Sequence, residues 1–222
     1  MLRRARARNM YQHLDSLLAQ EKQKIKSEFQ RLFFTGFDEL NVMNTRRITE
    51  RMYDKFLADN EVLYLKAAKE SYKEAVDLSK DEGFTGNKDT PDAEWLVGVL
   101  AGYNLVSGYI YKKEAERKRM RLNEQVLTAR EFVDSKMFQD SIRKAANLWW
   151  TQTAQYGITV VDEATIKGYK DMGVKRVKWI AADDEKTCPV CGGRDNKIYK
   201  INQIPPKPHY GCRCYVVPVN KE

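Results

Sequence analysis

The amino-acid sequence predicts a mainly α-helical protein, with an elongated helical body and a small cysteine-rich α+β module near its C-terminal end. Apolar side chains recur in steps of three and four over most of the chain, which is the spacing of one face of an α-helix. After Gly173 this spacing gives way to strand-like alternation, and all four cysteines fall within residues 187–219. A charged fraction of 32% and a mean hydropathy of -0.65 indicate a large surface for 222 residues, so we expect the helical body to be elongated.

Two long amphipathic helices are predicted in the first part of the chain. The first covers roughly residues 5–35 and ends at Gly36. The second has Asn44 or Thr45 as its N-cap, because the side-chain oxygens of these residue types accept hydrogen bonds from the N–H groups of the first helical turn. Gly83 ends the second helix, since glycine readily adopts the left-handed conformation that closes many helices.

Three further helices are predicted before the cysteine-rich region. One begins with Thr90 as its N-cap and Pro91 at the first helical position, where the missing N–H of proline is harmless. Another covers roughly residues 134–156, and a shorter one covers roughly residues 158–172 and ends at Gly173.

Three short strands are predicted after the helices. In "VKRVKWIAA", Val177 and Trp179 alternate with lysines, which is typical of a strand with one buried face. The stretches "KIYKI" and "CYVVPV" indicate two more strands. We therefore divide the chain into a body of long antiparallel helices with a basic N-terminus, residues 1–157, and a C-terminal module, residues 158–222.

The charge of the chain is concentrated at its two ends. Its 39 Lys and Arg exceed its 31 Asp and Glu, which gives a net charge of +8 and a pI of about 9.2. The net charge is +5 over residues 1–35, -3 over residues 36–164 and +6 over residues 165–222. Basic ends favour a polyanionic partner such as DNA, contacted through its phosphates without base specificity. The candidate nucleic-acid contacts are Arg3, Arg4, Arg6 and Arg8. A frayed basic terminus is an equally weighted alternative for these arginines.

No secretory signal is apparent in the sequence, and no apolar run approaches the length of about 18 residues that a membrane-spanning helix needs. We therefore expect a soluble protein that is made in a reducing cytoplasm and has no membrane partner. In that compartment, four clustered cysteines favour metal ligands over disulfides.

The cysteines and one histidine form two half-sites with the spacing of a zinc centre. Cys188 and Cys191 are spaced C-x₂-C, His209 and Cys212 are spaced H-x₂-C, and 17 residues separate the two pairs. This pattern matches the two-knuckle zinc template with His in place of one Cys. Cys214 is an alternative ligand that could replace His209 or Cys212, because residues 212 and 214 point to the same face of an extended strand. Four protein ligands leave no open coordination position, so the predicted zinc ion is structural.

Two alternatives to zinc stand beside this interpretation. A redox C-x-x-C typically lies in a βαβ unit at the start of a helix, whereas glycines and a loop are predicted after Cys188. The cysteines can also remain without metal, with packing and hydrogen bonds holding the module together.

The sequence offers little support for catalysis. It contains no phosphate-binding glycine loop, no nucleophile elbow and no plausible pair of a histidine with a carboxylate. Asp184, which precedes the first cysteine, is interpreted either as a turn-capping residue or as a residue that supports the C-x₂-C turn, and not as a catalytic acid or base. We predict that the protein is not an enzyme.

Residues 164–219, taken in order, resemble the phage Mu F-like head-morphogenesis (minor capsid) family. The shared pattern is a helix, a Gly-led strand with a Trp, an Asp four residues before C-x₂-C, a short hairpin seen here as "DNKIY", and a proline-rich approach to "H..CRC". The residues that carry the resemblance are Gly173, Trp179, Asp184, Cys188, Cys191, His209, Cys212, Arg213 and Cys214.

The resemblance implies a tailed-phage or prophage protein that acts in head assembly or in DNA packaging or ejection. Its expected partners are the portal protein and the major capsid or scaffold protein, with packaged double-stranded DNA contacted non-specifically. Its expected location is the virion, in the capsid interior, after assembly in the host cytoplasm. The alternative is a free-standing zinc-ribbon protein that binds nucleic acid, although no stripe of basic and aromatic residues accompanies the cysteines.

Overall fold

The structure, a computed structural model, describes residues 11–24, 27, 42–102, 105, 109, 113, 117, 120, 135–182, 187–209 and 211–220. Several residues that were assigned a role from the sequence lie outside these ranges. They are Arg3, Arg4, Arg6, Arg8, Gly36 and Asp184.

The described residues are mainly helical, as predicted, and form one small sheet near the C-terminal end. In chain order the elements are α1 (residues 11–24), α2 (Val42–Asp81), α3 (residues 93–102), α4 (Ser135–Asp171), β1 (Arg176–Ile180), α5 (Pro189–Gly192), β2 (Ile198–Lys200) and β3 (Tyr215–Pro218). Within these described ranges, no helix combines the length and the apolar character needed to cross a membrane.

Glycines in the left-handed conformation end α2 and α4, as the sequence predicts. Gly83 has φ 83° and Gly173 has φ 78°. At each end the glycine N–H bonds to the carbonyl three residues earlier, at 2.9 Å for Gly83 and 3.0 Å for Gly173. The next residue, Phe84 or Val174, donates to the carbonyl five residues earlier at 3.0 Å and 2.9 Å respectively. These paired bonds form a Schellman motif, which satisfies carbonyls that have no partner within the helix.

Two predicted helix starts are wrong by a few residues. Helix α2 already begins at Val42, so Asn44 and Thr45 lie within its first turn and do not cap it. In α3 the first helical hydrogen bond runs from the Leu96 N–H to the Asp92 carbonyl at 3.0 Å, which places the cap at Asp92 and not at Thr90. Helix boundaries depend on which backbone groups find partners, and residue preferences alone locate them only to within a few positions.

Helix α4 is continuous where the sequence predicts a boundary between two helices. Gly157, at that predicted boundary, is buried inside α4. A Cβ atom at this position would lie 2.8 Å from Cδ1 of Leu14, a fully buried residue of α1. The glycine therefore serves a close approach between α1 and α4 and does not end a helix.

The chain forms two compact units, and both α2 and α4 contribute to each of them. The first unit comprises Met1–Leu17, Tyr64–Val99 and Gln155–Glu222, and the second comprises Leu18–Leu63 and Leu100–Ala154. The largest fully buried side chains of the first unit include Trp179, Tyr64, Tyr72, Tyr169 and Leu14. The buried side chains of the second unit include Leu18, Phe56, Leu63 and Leu100.

The three predicted strands are present and form an antiparallel sheet in the order β2-β1-β3. Strand β1 is central, with Val177 opposite Tyr199 in β2 and Trp179 opposite Val216 in β3. All four residues of β3 are buried. The Tyr169 hydroxyl of α4 donates to the Val216 carbonyl at 3.0 Å, so α4 is attached directly to the strand that follows the last cysteines.

Candidate metal centre

The C-x₂-C segment forms a single helical turn that places two sulfur atoms on one side. Cys188 is the N-cap of α5, and its sulfur accepts a hydrogen bond from the Cys191 N–H at 3.4 Å. Pro189 occupies the first turn, where a proline N–H is not needed. The sequence predicts a loop after Cys188, but Pro189–Gly192 is helical. The Cys188 cap and Pro189 start this short turn. The adjoining sheet is antiparallel, so the described residues do not place this turn in the βαβ unit typical of redox C-x-x-C sites.

Arg194 connects this turn to the proline-rich segment before His209. Its guanidinium lies 5.2 Å from the centre of the Trp179 ring and donates to the Pro206 carbonyl at 2.7 Å. Asp195 accepts a hydrogen bond from the Ala181 N–H at 2.8 Å, which ties the residues after α5 to the end of β1. These bonds hold the two distant half-sites at the end of the sheet where β1 ends and β3 begins.

All five predicted candidate ligands belong to two groups that can hold a metal ion. In each group the ligand atoms lie within 4.8 Å of one another. One group contains Cys188, Cys191 and His209, and the other contains Cys191, Cys212 and Cys214. Cys191 belongs to both groups, so it joins the C-x₂-C turn to the segment that leads into β3.

The sulfur atoms of Cys191 and Cys212 lie 3.5 Å apart, and both residues are buried. Two thiolates bound to one zinc ion at about 2.3 Å in tetrahedral geometry are separated by about 3.8 Å. The observed separation is close to that value. All four cysteines are free thiols, and thiol and imidazole groups are the ligands that zinc prefers in sites of this kind.

Hydrogen bonds among the buried thiols separate their pKa values. A hydrogen bond from the Cys214 thiol lowers the pKa of Cys212 to about 5. Burial raises the pKa of Cys191 to about 12, and donation to Cys212 is the largest cause that raises the pKa of Cys214. The backbone N–H of Cys191 lowers the pKa of Cys188. Cys212 is therefore a thiolate at neutral pH, the form in which cysteine binds metals.

Some residues around the centre were not singled out by the sequence. Tyr11 and Lys207 contact the backbone oxygens of Cys214 and Cys212 respectively, and Asp162 bonds to both Tyr11 and Lys207. Tyr11 is 196 positions from Lys207 along the chain, so no local pattern relates the two. The only sequence signal for this cluster was the position of Lys207, two residues before His209. Lysine is common at the surface of this chain, so that position did not distinguish Lys207 from other lysines.

Comparison of the chain with protein-family models, with curated proteins and with solved structures found no match. Assignment of a function therefore depends on the residues of the site and on the sequence pattern that surrounds them.

Proposed function

We propose that the C-terminal module binds one structural zinc ion through Cys188, Cys191, His209 and Cys212, with Cys214 as the alternative ligand. The separation of 3.5 Å between the sulfur atoms of Cys191 and Cys212 carries this proposal. When bound, the ion would connect α5 to the segment before β3. The bonds to the ion would stabilise a module whose sheet is small, with only 12 residues in three strands of 5, 3 and 4 residues.

We further propose that the protein is a minor head protein of a tailed phage, associated with the portal protein and with the major capsid or scaffold protein. The support for this proposal is the ordered pattern of residues 164–219, in which several uncommon features occur together. The module would be a rigid docking element, and the helices would bind the portal or the procapsid interior.

The proposed role in head assembly is tested by association with the portal. The chain is co-expressed with the portal protein that is encoded in the same genome, and portal oligomers are purified. We expect the chain to co-purify with the oligomers and to be detected by mass spectrometry in purified virions at low copy number. Absence of the chain from virions, together with no association with portal oligomers, would overturn the proposal.

The proposed DNA contact is tested separately. Binding to unrelated duplexes should be detectable at low salt and should weaken steeply as salt is added, because phosphate contacts release counterions. Substitution of four arginines by alanine should make the plot of the logarithm of the binding constant against the logarithm of salt concentration less steep. The decrease should correspond to the loss of at most about four phosphate contacts. These residues are Arg3, Arg4, Arg6 and Arg8. Sequence-specific binding without portal association would instead favour the zinc-ribbon alternative.

A further inference from the structure

The Lys207 side chain joins three parts of the first unit. Its Nζ atom donates to the Tyr11 hydroxyl of α1 at 2.5 Å and to the Cys212 carbonyl at 2.9 Å, and it pairs with Oδ2 of Asp162 in α4 at 2.6 Å. A lysine ammonium group has three hydrogens. These three acceptors therefore use its full hydrogen-bonding capacity, although only 21% of the side chain is exposed.

Tyr11 approaches the same cysteine segment from α1. The tyrosine is 4% exposed, and its hydroxyl donates to Oδ1 of Asp162 at 2.5 Å. The same hydroxyl lies 3.4 Å from the backbone oxygen of Cys214. Tyr11 and Lys207 thus contact the backbone of two candidate metal ligands, Cys212 and Cys214.

Arg213, between these two cysteines, makes the third connection to α1. Its guanidinium forms two hydrogen bonds of 2.6 Å with the carboxylate of Asp15, and it lies 5.6 Å from the centre of the Tyr11 ring. Lys207 lies 4.9 Å from the same ring centre. The segment Cys212–Cys214 is therefore bound to α1 through its backbone and through the side chain at its centre.

We infer that metal binding at the centre and docking of α1 are thermodynamically coupled, with Tyr11, Asp162 and Lys207 as positioning residues for Cys212. The inference rests on the proposed metal site. Docked α1 holds the cysteine backbone in place, so it lowers the cost of arranging the ligands around an ion. By reciprocity, a bound ion favours docking of α1 by the same factor.

Hydrogen exchange measures one direction of the coupling. Amide exchange of residues 11–24 is compared in the full chain loaded with zinc and after removal of zinc by a chelator. We expect exchange in α1 to accelerate on zinc removal, while the amides of α4 near Gly168 change less. Equal exchange of α1 in the two states would overturn the coupling.

Zinc affinity measures the other direction, by competition with a chromophoric chelator. Lys207→Met should weaken zinc binding by about tenfold, as loss of residues that support metal ligands typically does. Lys167→Met is a matched control, because Lys167 is 20% exposed and pairs with Asp92 and Asp171 in the same unit. This control should retain the wild-type affinity.

Two tyrosine variants repeat the comparison with a smaller change, in case Lys207→Met does not fold. Tyr11→Phe should weaken zinc binding and accelerate exchange in α1. Tyr72→Phe should leave zinc affinity unchanged. The Tyr72 hydroxyl donates to Asp171 at 2.8 Å, and Asp171 is not one of the residues that position the cysteines. If Tyr11→Phe and Tyr72→Phe bind zinc with equal affinity, the inference is overturned, while the proposed zinc site is unaffected. A wild-type chain that binds no zinc would overturn the proposed site and the inference together.

Discussion

Cys191 and Cys212 are 21 residues apart in the chain, and their sulfur atoms lie 3.5 Å apart in a buried position. Cys191 comes from the helical turn α5, and Cys212 comes from the segment before β3. Arg194, Asp195 and the antiparallel pairing of β1 with β3 hold these two segments at the end of the sheet where β1 ends and β3 begins. The contact is therefore produced by the fold of the whole module.

Removal of one ligand should remove the metal. We expect purified wild-type protein to contain about one zinc ion per chain, and Cys188→Ser to contain almost none. Loss of the ion should lower the free energy of unfolding by about 4 kcal/mol when free zinc is near a thousand times the dissociation constant. Elemental analysis and urea unfolding measure the two effects.

Val190→Ser provides the control for this variant. Val190 lies on the same helical turn and is 50% exposed. The control should keep both the zinc and the stability. Identical unfolding of wild-type protein with and without zinc would contradict a structural role for the ion.

The fourth ligand can be identified by comparing two variants. His209→Ala should weaken zinc binding strongly, because it removes one of the four proposed ligands, whereas Cys214→Ser should retain about one zinc per chain. Cobalt substitution distinguishes the two ligand sets by absorption, since the thiolate charge-transfer bands grow with the number of bound sulfurs. The reverse result, with zinc lost only in Cys214→Ser, would assign Cys214 in place of His209.

Zinc affinity should rise with pH. In the metal-free protein Cys191 has a pKa of about 12, so it carries a proton at neutral pH that must leave when the thiolate binds zinc. Protons therefore compete with zinc. Because at least this one proton must be released on binding, the affinity should fall by at least about tenfold for each unit from about pH 8 to about pH 6.

Cys212 adds a second effect at lower pH. Its pKa is about 5, so it is already a thiolate at neutral pH and becomes protonated only under more acidic conditions. The pH dependence of zinc affinity should steepen there. Titration calorimetry in buffers of different ionisation enthalpy counts the released protons, and a pH-independent affinity would contradict the prediction.

Gly168→Ala should destabilise the first unit. A Cβ atom at Gly168 would lie 2.9 Å from Cβ of Ala75 and 3.0 Å from the backbone oxygen of Tyr72. Neither atom belongs to a flexible side-chain end, so α2 and α4 would have to separate, at a cost of about 1–3 kcal/mol. The measurement is urea unfolding of the two proteins.

Gly98→Ala is the matched substitution in α3. Apart from its chain neighbours and the backbone of its own helix, no described atom lies within 4 Å of a Cβ built there. The change should stabilise the helix by up to about 1 kcal/mol, because alanine has a higher helix propensity than glycine. Equal effects of the two substitutions would show that the close contact of Gly168 is unimportant.

The secondary structure was predicted well where it depends on local patterns. Gly83 and Gly173 end helices because few other residues adopt positive φ at low cost. The strand around Val177 and Trp179 was recognised from alternation. Helix starts were placed less well, and the boundary predicted at residue 157 was wrong because Gly157 accommodates Leu14 inside a continuous helix.

By itself the sequence determined the helical character, the three strands and the identity of five candidate ligands, since periodicity, helix-ending glycines and ligand spacing are local properties. Only the tertiary structure decided that Cys191 is common to both ligand groups and that Lys207 bonds to Cys212, Tyr11 and Asp162. These relationships join residues that are far apart in the chain. They depend on how α1, α4 and the sheet pack, and no spacing pattern in the sequence records that packing.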